Sequence, residues 1–169
     1  MFNKIMAACA SLVLAASPAA AKLDAGTADL IDHIDGTDIV VTINGPHCDS
    51  NKYLGVYIHS GMKRQLALCP GAEIDELDHA VVRHEVFHAV QHCVNVARGT
   101  QINTPVQENS QELMEYAHEI LDPAIIAFVQ ENYDRSQWLL EIEAMLAMEV
   151  FTAAEIQEMF NNACMADPN

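Results

Sequence analysis

The chain has 169 residues, a formal net charge of −16 at neutral pH and 51% apolar side chains. That length and apolar content fit one domain with a core of its own. So acidic a chain has no electrostatic footprint for nucleic acid or anionic lipid; the acid is read as solubility, with a weaker preference for basic partners.

The N-terminus has the layout of a secretory signal peptide. Met1 to Lys4 carries one cation, Ile5 to Ala16 is apolar, Ser17-Pro18 breaks the run, and Ala19-Ala20-Ala21 gives a small-x-small pattern. The apolar run is about 12 residues long, against the roughly 20 needed to span a bilayer. Cleavage is expected after Ala21, leaving a mature chain of residues 22–169, periplasmic or secreted, without a membrane span. Losing Lys4 takes the net charge from −16 to −17. Cys9 leaves with the signal. Cys48, Cys69, Cys93 and Cys164 remain, an even count that suggests two disulfides in an exported chain. Of the three possible pairings, Cys48–Cys69 would staple a strand region and Cys93–Cys164 would tie the last helix to the central one. These two are favoured. No CxxC pair points to a cysteine-bound zinc.

In the mature chain, Ala25 to His33 reads as a modest amphipathic helix ended by Gly36. Asp38 to Ile43 is β-branched and reads as a strand closed by Asn44-Gly45-Pro46. Tyr53 to His59 and Arg64 to Cys69 read as two more strands. From Ile74 the periodicity turns helical. Leu77 to Ala97 is one long helix stopped by Gly99, and Asn103 to Asn109 is a polar loop. Ser110 to Leu121 is a second helix, with Ser110 as its candidate cap. Asp122-Pro123 caps and opens a third, to Asn132. Ser136 to Val150 is a fourth. Thr152 to Glu155 forms a capping box for a fifth, reaching Cys164. Strands first and helices after make the class α+β in a single domain, residues 22–169.

The long helix contains His84-Glu85-Val86-Phe87-His88, an HExxH pattern. At about 100° per residue, His88 lies about 40° from His84 and one turn along, so both imidazoles can hold one ion. His92 falls near 80° and Glu85 near 100°, at the edge of the same face. Glu85 can thus reach a water beside the ion without ligating it. Val82, Val86, Phe87, Val90 and Cys93 occupy the other side, so the helix is expected to be mostly buried. The bland alternative, a surface helix with incidental histidines, fits that distribution poorly.

A catalytic zinc needs a third protein ligand. The longer metzincin pattern requires glycine at 91 and histidine at 94, where this chain has Gln91 and Val94. His92 is two turns from His84, too far to share its ion easily, and is expected beside the site. The apolar helix from Trp138 to Met148 contains Glu141 and Glu143, and buried carboxylates are costly unless paired or bound to metal. They lie about 160° apart, so only one can face the ion, and periodicity leaves the choice open. Met145, Met148 and Met159 read as core residues. His33, His47, His59 and His79 read as surface.

HExxH followed on a later helix by Glu141-Ile142-Glu143-Ala144 resembles the gluzincin branch of the zinc peptidases. The acid that several gluzincin families carry just after this alanine is replaced by Met145. Three short strands separated by turns suggest a small antiparallel sheet or meander; the resemblance implies a zincin-like fold, that sheet followed by a helical bundle with the HExxH helix at its centre. It implies one catalytic zinc on His84, His88 and Glu141, with Glu85 as general base. The strand Arg64 to Cys69 resembles the zincin edge strand, which binds extended peptide. The expected activity is peptide-bond hydrolysis on a peptide or protein substrate, with a zinc-binding interaction module lacking turnover as the alternative. His92, His118, Tyr116 and Tyr133 are available to stabilise an oxyanion. A monomer is the default.

Overall fold

The computed structural model describes residues 26–48, 54–60, 63–69, 76–100 and 103–165. The expected signal peptide and its cleavage site lie outside them. The first helix, α1 (Gly26–Asp35), buries Thr27, Leu30 and Ile34 along one stripe. Strand β1 (Ile39–Ile43), a short 3-10 turn (Pro46–Cys48), β2 (Gly55–Ser60) and β3 (Lys63–Leu68) follow. The helices are α2 (Glu76–Ala97), α3 (Ser110–Ile120), α4 (Pro123–Asn132), α5 (Trp138–Val150) and α6 (Ala153–Phe160), with a π-helical turn at Asn161–Met165. The class is α+β, with six α-helices and one three-stranded sheet among the described residues.

The sheet is mixed, where a small antiparallel one was expected. Its order is β1-β3-β2, with β1 parallel to β3 and β2 antiparallel to it. Lys63–Leu68 is therefore the central strand, and the expectation of an edge strand at Arg64 to Cys69 is overturned. The reason is burial. Leu66, Ala67 and Leu68 are consecutive and all buried, which suits a strand covered on both faces. The edge strand β1 instead leaves Val40 and Ile43 exposed. The crossover from β1 starts at Asn44, whose φ of 51° is a left-handed conformation that asparagine tolerates. Asn44 N–H donates to Leu68 O at 2.9 Å, and the Cys48–Cys69 disulfide ties the crossover to the end of β3.

Helix α2 packs one apolar side into a core with α1, β1, β3 and α6, through Val82, Val86, Phe87 and Val90. The Cys93–Cys164 disulfide closes the π-helical turn onto it. Both cysteine pairs are thus the favoured ones. Helix α5 lies between two apolar clusters and is buried from Glu141 to Met148. Ala144 and Ala147 join the α2 cluster; Ile142, Met145, Leu146 and Met148 join a second one with α3 and α4. Small side chains towards α2 let the two helices approach closely. They run antiparallel: Arg83 donates to Met148 O, while Gln91 reaches Leu140 O.

Local signals set the helix ends. Asn109, rather than Ser110, caps α3 by accepting from Gln111 N and Glu112 N. Asp122 caps α4 with Pro123 at its first position, and Thr152 and Glu155 form the capping box of α6. No helix among the described residues is long and apolar enough to cross a membrane.

Candidate metal centre

Helix α2 presents His84 and His88 one turn apart, and α5 brings Glu141 opposite them. His84 Nε2 and His88 Nε2 are 3.0 Å apart. Glu141 Oε2 lies 3.5 Å from the first and 3.6 Å from the second. An ion held at about 2.0–2.2 Å by three ligands of a tetrahedron keeps their atoms about 3.3–3.6 Å apart. The two sides that meet at Glu141 match that spacing and the side between the histidines, at 3.0 Å, is slightly shorter, so these three side chains could hold a metal ion. Two imidazoles and a carboxylate suit zinc and its neighbours in the first transition row, whereas magnesium and calcium prefer oxygen throughout.

The two carboxylates on α5 are separated by role. Glu143, buried like Glu141, faces the segment that follows α2. Its Oε1 accepts from Gln107 N at 2.7 Å, and its Oε2 from Val106 N at 2.7 Å and Gln91 Nε2 at 2.9 Å. That segment, 103–108, is a strap over the end of α2. Buried Asn95 binds Thr104 through its N–H, carbonyl and hydroxyl, and Arg98 reaches Pro105 O and Val106 O. Periodicity alone could not divide the two acids; the strap on one side and the histidines on the other do.

Glu85 is 8% exposed and sits against β2. Its Oε2 accepts a 2.7 Å hydrogen bond from Tyr57 N, on the open edge of that strand. Gly55 permits this approach: a Cβ there would stand 2.6 Å from Val81 Cγ1 and 2.9 Å from Glu85 Cγ. The strand bordering the site is therefore β2, not the one named from the sequence.

His92 turns towards β2. Its ring is 4.1 Å from that of His59, and Tyr57 packs beside both. Burial, with the charges of His59 and Arg64, lowers the His92 pKa, partly offset by Asn103. Burial pushes the Tyr57 phenol up to about 12, against a smaller opposing effect of Arg64. Tyr116 and His118 stand exposed on α3, and Tyr133 packs against the second apolar cluster. Among the histidines expected at the surface, His47 and His59 are exposed. His33 is half-buried, with Nε2 2.7 Å from Asn161 Oδ1, and the Nδ1 atom of His79 is buried.

The ligand group is electrostatically coupled. Burial alone would lower the His88 pKa, but the hydrogen bond and charge of Glu141 outweigh it, with help from Glu85 and Gln91, and raise it to about 9. Burial raises the Glu141 pKa, yet hydrogen bonds from His84 and His88 and their charges win and hold it well below the usual carboxylate range. Because the folded value of His88 lies above its ordinary 6.5, the pair stabilises the metal-free fold while His88 is protonated. That contribution is complete below about pH 6.5 and disappears as pH rises through about 9. A metal must displace the same proton. Calorimetric titration with zinc at pH 6, below the pKa of about 7 of zinc-bound water and repeated in buffers of different ionisation enthalpy, should show about one proton released per ion. Binding without proton release would contradict the coupling.

No protein-family description, curated protein or solved structure matches the chain at a significant level. A functional reading therefore rests on the chemistry of these residues.

Proposed function

We propose that this chain is an exported zinc-dependent metallopeptidase of gluzincin type. The observation that carries the reading is the His84–His88–Glu141 donor triangle, with the Glu85 carboxylate one residue along the same helix. His84, His88 and Glu141 would hold the ion. When bound, zinc supplies Lewis acidity, acidifying water to a pKa of about 7 and polarising a scissile carbonyl. Glu85 accepts the proton of the attacking water and returns it to the leaving amine. Tyr57 N–H holds one oxygen of Glu85, leaving the other for that proton. The apolar packing of α2 and α5 keeps the three ligands largely out of water. The two disulfides fit an oxidising compartment, in keeping with the expected signal peptide.

A second reading, a zinc-binding module that holds a partner without turnover, draws on the same Tyr57–Glu85 bond, since that contact gives the carboxylate a structural role. One assay separates the two. Zinc-loaded protein is incubated with a mixed peptide library and products are identified by mass spectrometry. The peptidase reading expects cleavage that a chelator abolishes and added zinc restores. Intact peptides throughout the library would favour the binding module.

A further inference from the structure

Behind His88, on the side away from His84, the geometry assigns donor and acceptor roles to the buried side chains of Gln91 and Glu143. Gln91 is fully buried on α2, one turn beyond His88. Its side-chain nitrogen faces two acceptors, Leu140 O at 3.0 Å and Glu143 Oε2 at 2.9 Å. Neither can donate, so the amide –NH2 must point at them and the amide oxygen at His88. That oxygen lies 2.7 Å from His88 Nδ1. A carbonyl oxygen accepts only, so Nδ1 carries a hydrogen, and in the neutral ring the lone pair falls on Nε2, the nitrogen that faces the ion position. Behind Gln91, the Glu143 carboxylate is fixed by three N–H donors: Gln91 Nε2, Val106 N and Gln107 N. Its charge polarises the amide, which strengthens the hydrogen bond to His88.

We infer that Gln91 and Glu143 are positioning residues for the metal centre: a carboxylate–amide–imidazole relay that fixes the ring and tautomer of His88 and anchors it to the 103–108 strap. The inference rests on the reading of His84, His88 and Glu141 as a zinc site. A metal-bound imidazole commonly donates its other N–H to a carboxylate or carbonyl, and losing such a partner costs about 10–100-fold in metal affinity. Here an amide stands between ring and carboxylate, so the affinity depends on a residue that makes no bond to the ion. His84 differs, since its Nδ1 is buried without a hydrogen-bond partner among the described residues. The relay thus acts on one ligand of the pair.

The test is zinc affinity, measured by competition against a chromophoric chelator on full-length variants. Gln91→Met keeps side-chain volume and removes both ends of the relay; its zinc Kd should rise about 10–100-fold. Gln91→Glu restores an acceptor for His88, a proton shared with Glu143 taking the place of the amide N–H, and should stay within about 3-fold of wild type. Arg98→Ala loosens the strap from its exposed side without touching the relay and should also bind zinc within about 3-fold of wild type. Equal Kd values for wild type and Gln91→Met would overturn the relay while leaving the zinc site intact. So would an equal loss in Gln91→Glu and Gln91→Met, or a loss in Arg98→Ala as large as theirs. A wild-type protein that binds no zinc would remove the underlying reading and the relay with it. Should Gln91→Met fail to fold, the zinc-loaded wild type decides: a slowly exchanging, downfield ring proton on His88 Nδ1, with a nuclear Overhauser contact to the Gln91 side chain, is expected in its NMR spectrum. The absence of that proton overturns the inference.

Discussion

Replacing Glu141 with alanine should cost about 10³-fold or more in zinc affinity, whereas Glu143→Ala should cost at most the about 10–100-fold typical of a residue hydrogen-bonded to a ligand's partner. The two carboxylates sit two residues apart on one buried helix and are equally shielded. Their surroundings make them different. Glu141 lies 3.5 and 3.6 Å from the two imidazole nitrogens, so its removal leaves a two-ligand site too poor to hold an ion firmly. Glu143 spends both oxygens on the strap and on Gln91. Its removal strands two backbone N–H groups and one amide, so Glu143→Ala should lose folding stability by about 1–3 kcal/mol for each buried donor left without a partner. Urea unfolding of the metal-free proteins and chelator competition on the folded ones read these effects separately. The reverse ranking, with zinc lost on removing Glu143 and kept on removing Glu141, would move the metal ligand to Glu143.

Glu85→Gln should retain zinc and lose hydrolysis by about 10²–10⁴-fold, the range for removal of a general base. The substitution is informative because it separates the two uses of this carboxylate. A glutamine amide oxygen can still accept the Tyr57 N–H bond that holds Glu85 to β2, so the strand should stay in place. What disappears is the capacity to take a proton. Stability and zinc content near the wild-type level, with turnover gone, is the expected combination, read by the peptide-library assay beside metal analysis. Full residual activity in Glu85→Gln would remove Glu85 as the base.

The centre of this architecture is legible from spacing. HExxH periodicity places two imidazoles on one face of a helix, and the same wheel puts Cys93 on the opposite, buried side, where it pairs with Cys164. The apolar surroundings of Glu141 and Glu143 mark both as carboxylates in need of partners, and each has one. Periodicity did not say which partner belonged to which, and only the ExxA resemblance pointed to Glu141 beside the histidines, because the assignment depends on how α5 is rotated against α2 and on where the 103–108 strap crosses. Both are long-range packing outcomes with no local signature. Strand order was also missed. Three strands in succession suggest a meander, and only the uninterrupted burial of Leu66, Ala67 and Leu68 betrays β3 as the central strand. Gln91 served in the sequence only as a departure from another peptidase pattern. Its i+3 spacing from His88 was the available sign that its amide could reach that ring.

His84, His88 and Glu141 are proposed to hold one zinc ion between them. The test is elemental analysis of residues 22–169, the expected mature chain, supplied with zinc and freed of unbound metal by gel filtration. About one zinc per chain is expected. A chain that retains no metal after zinc is supplied would contradict it, and the peptidase reading would fall with the site.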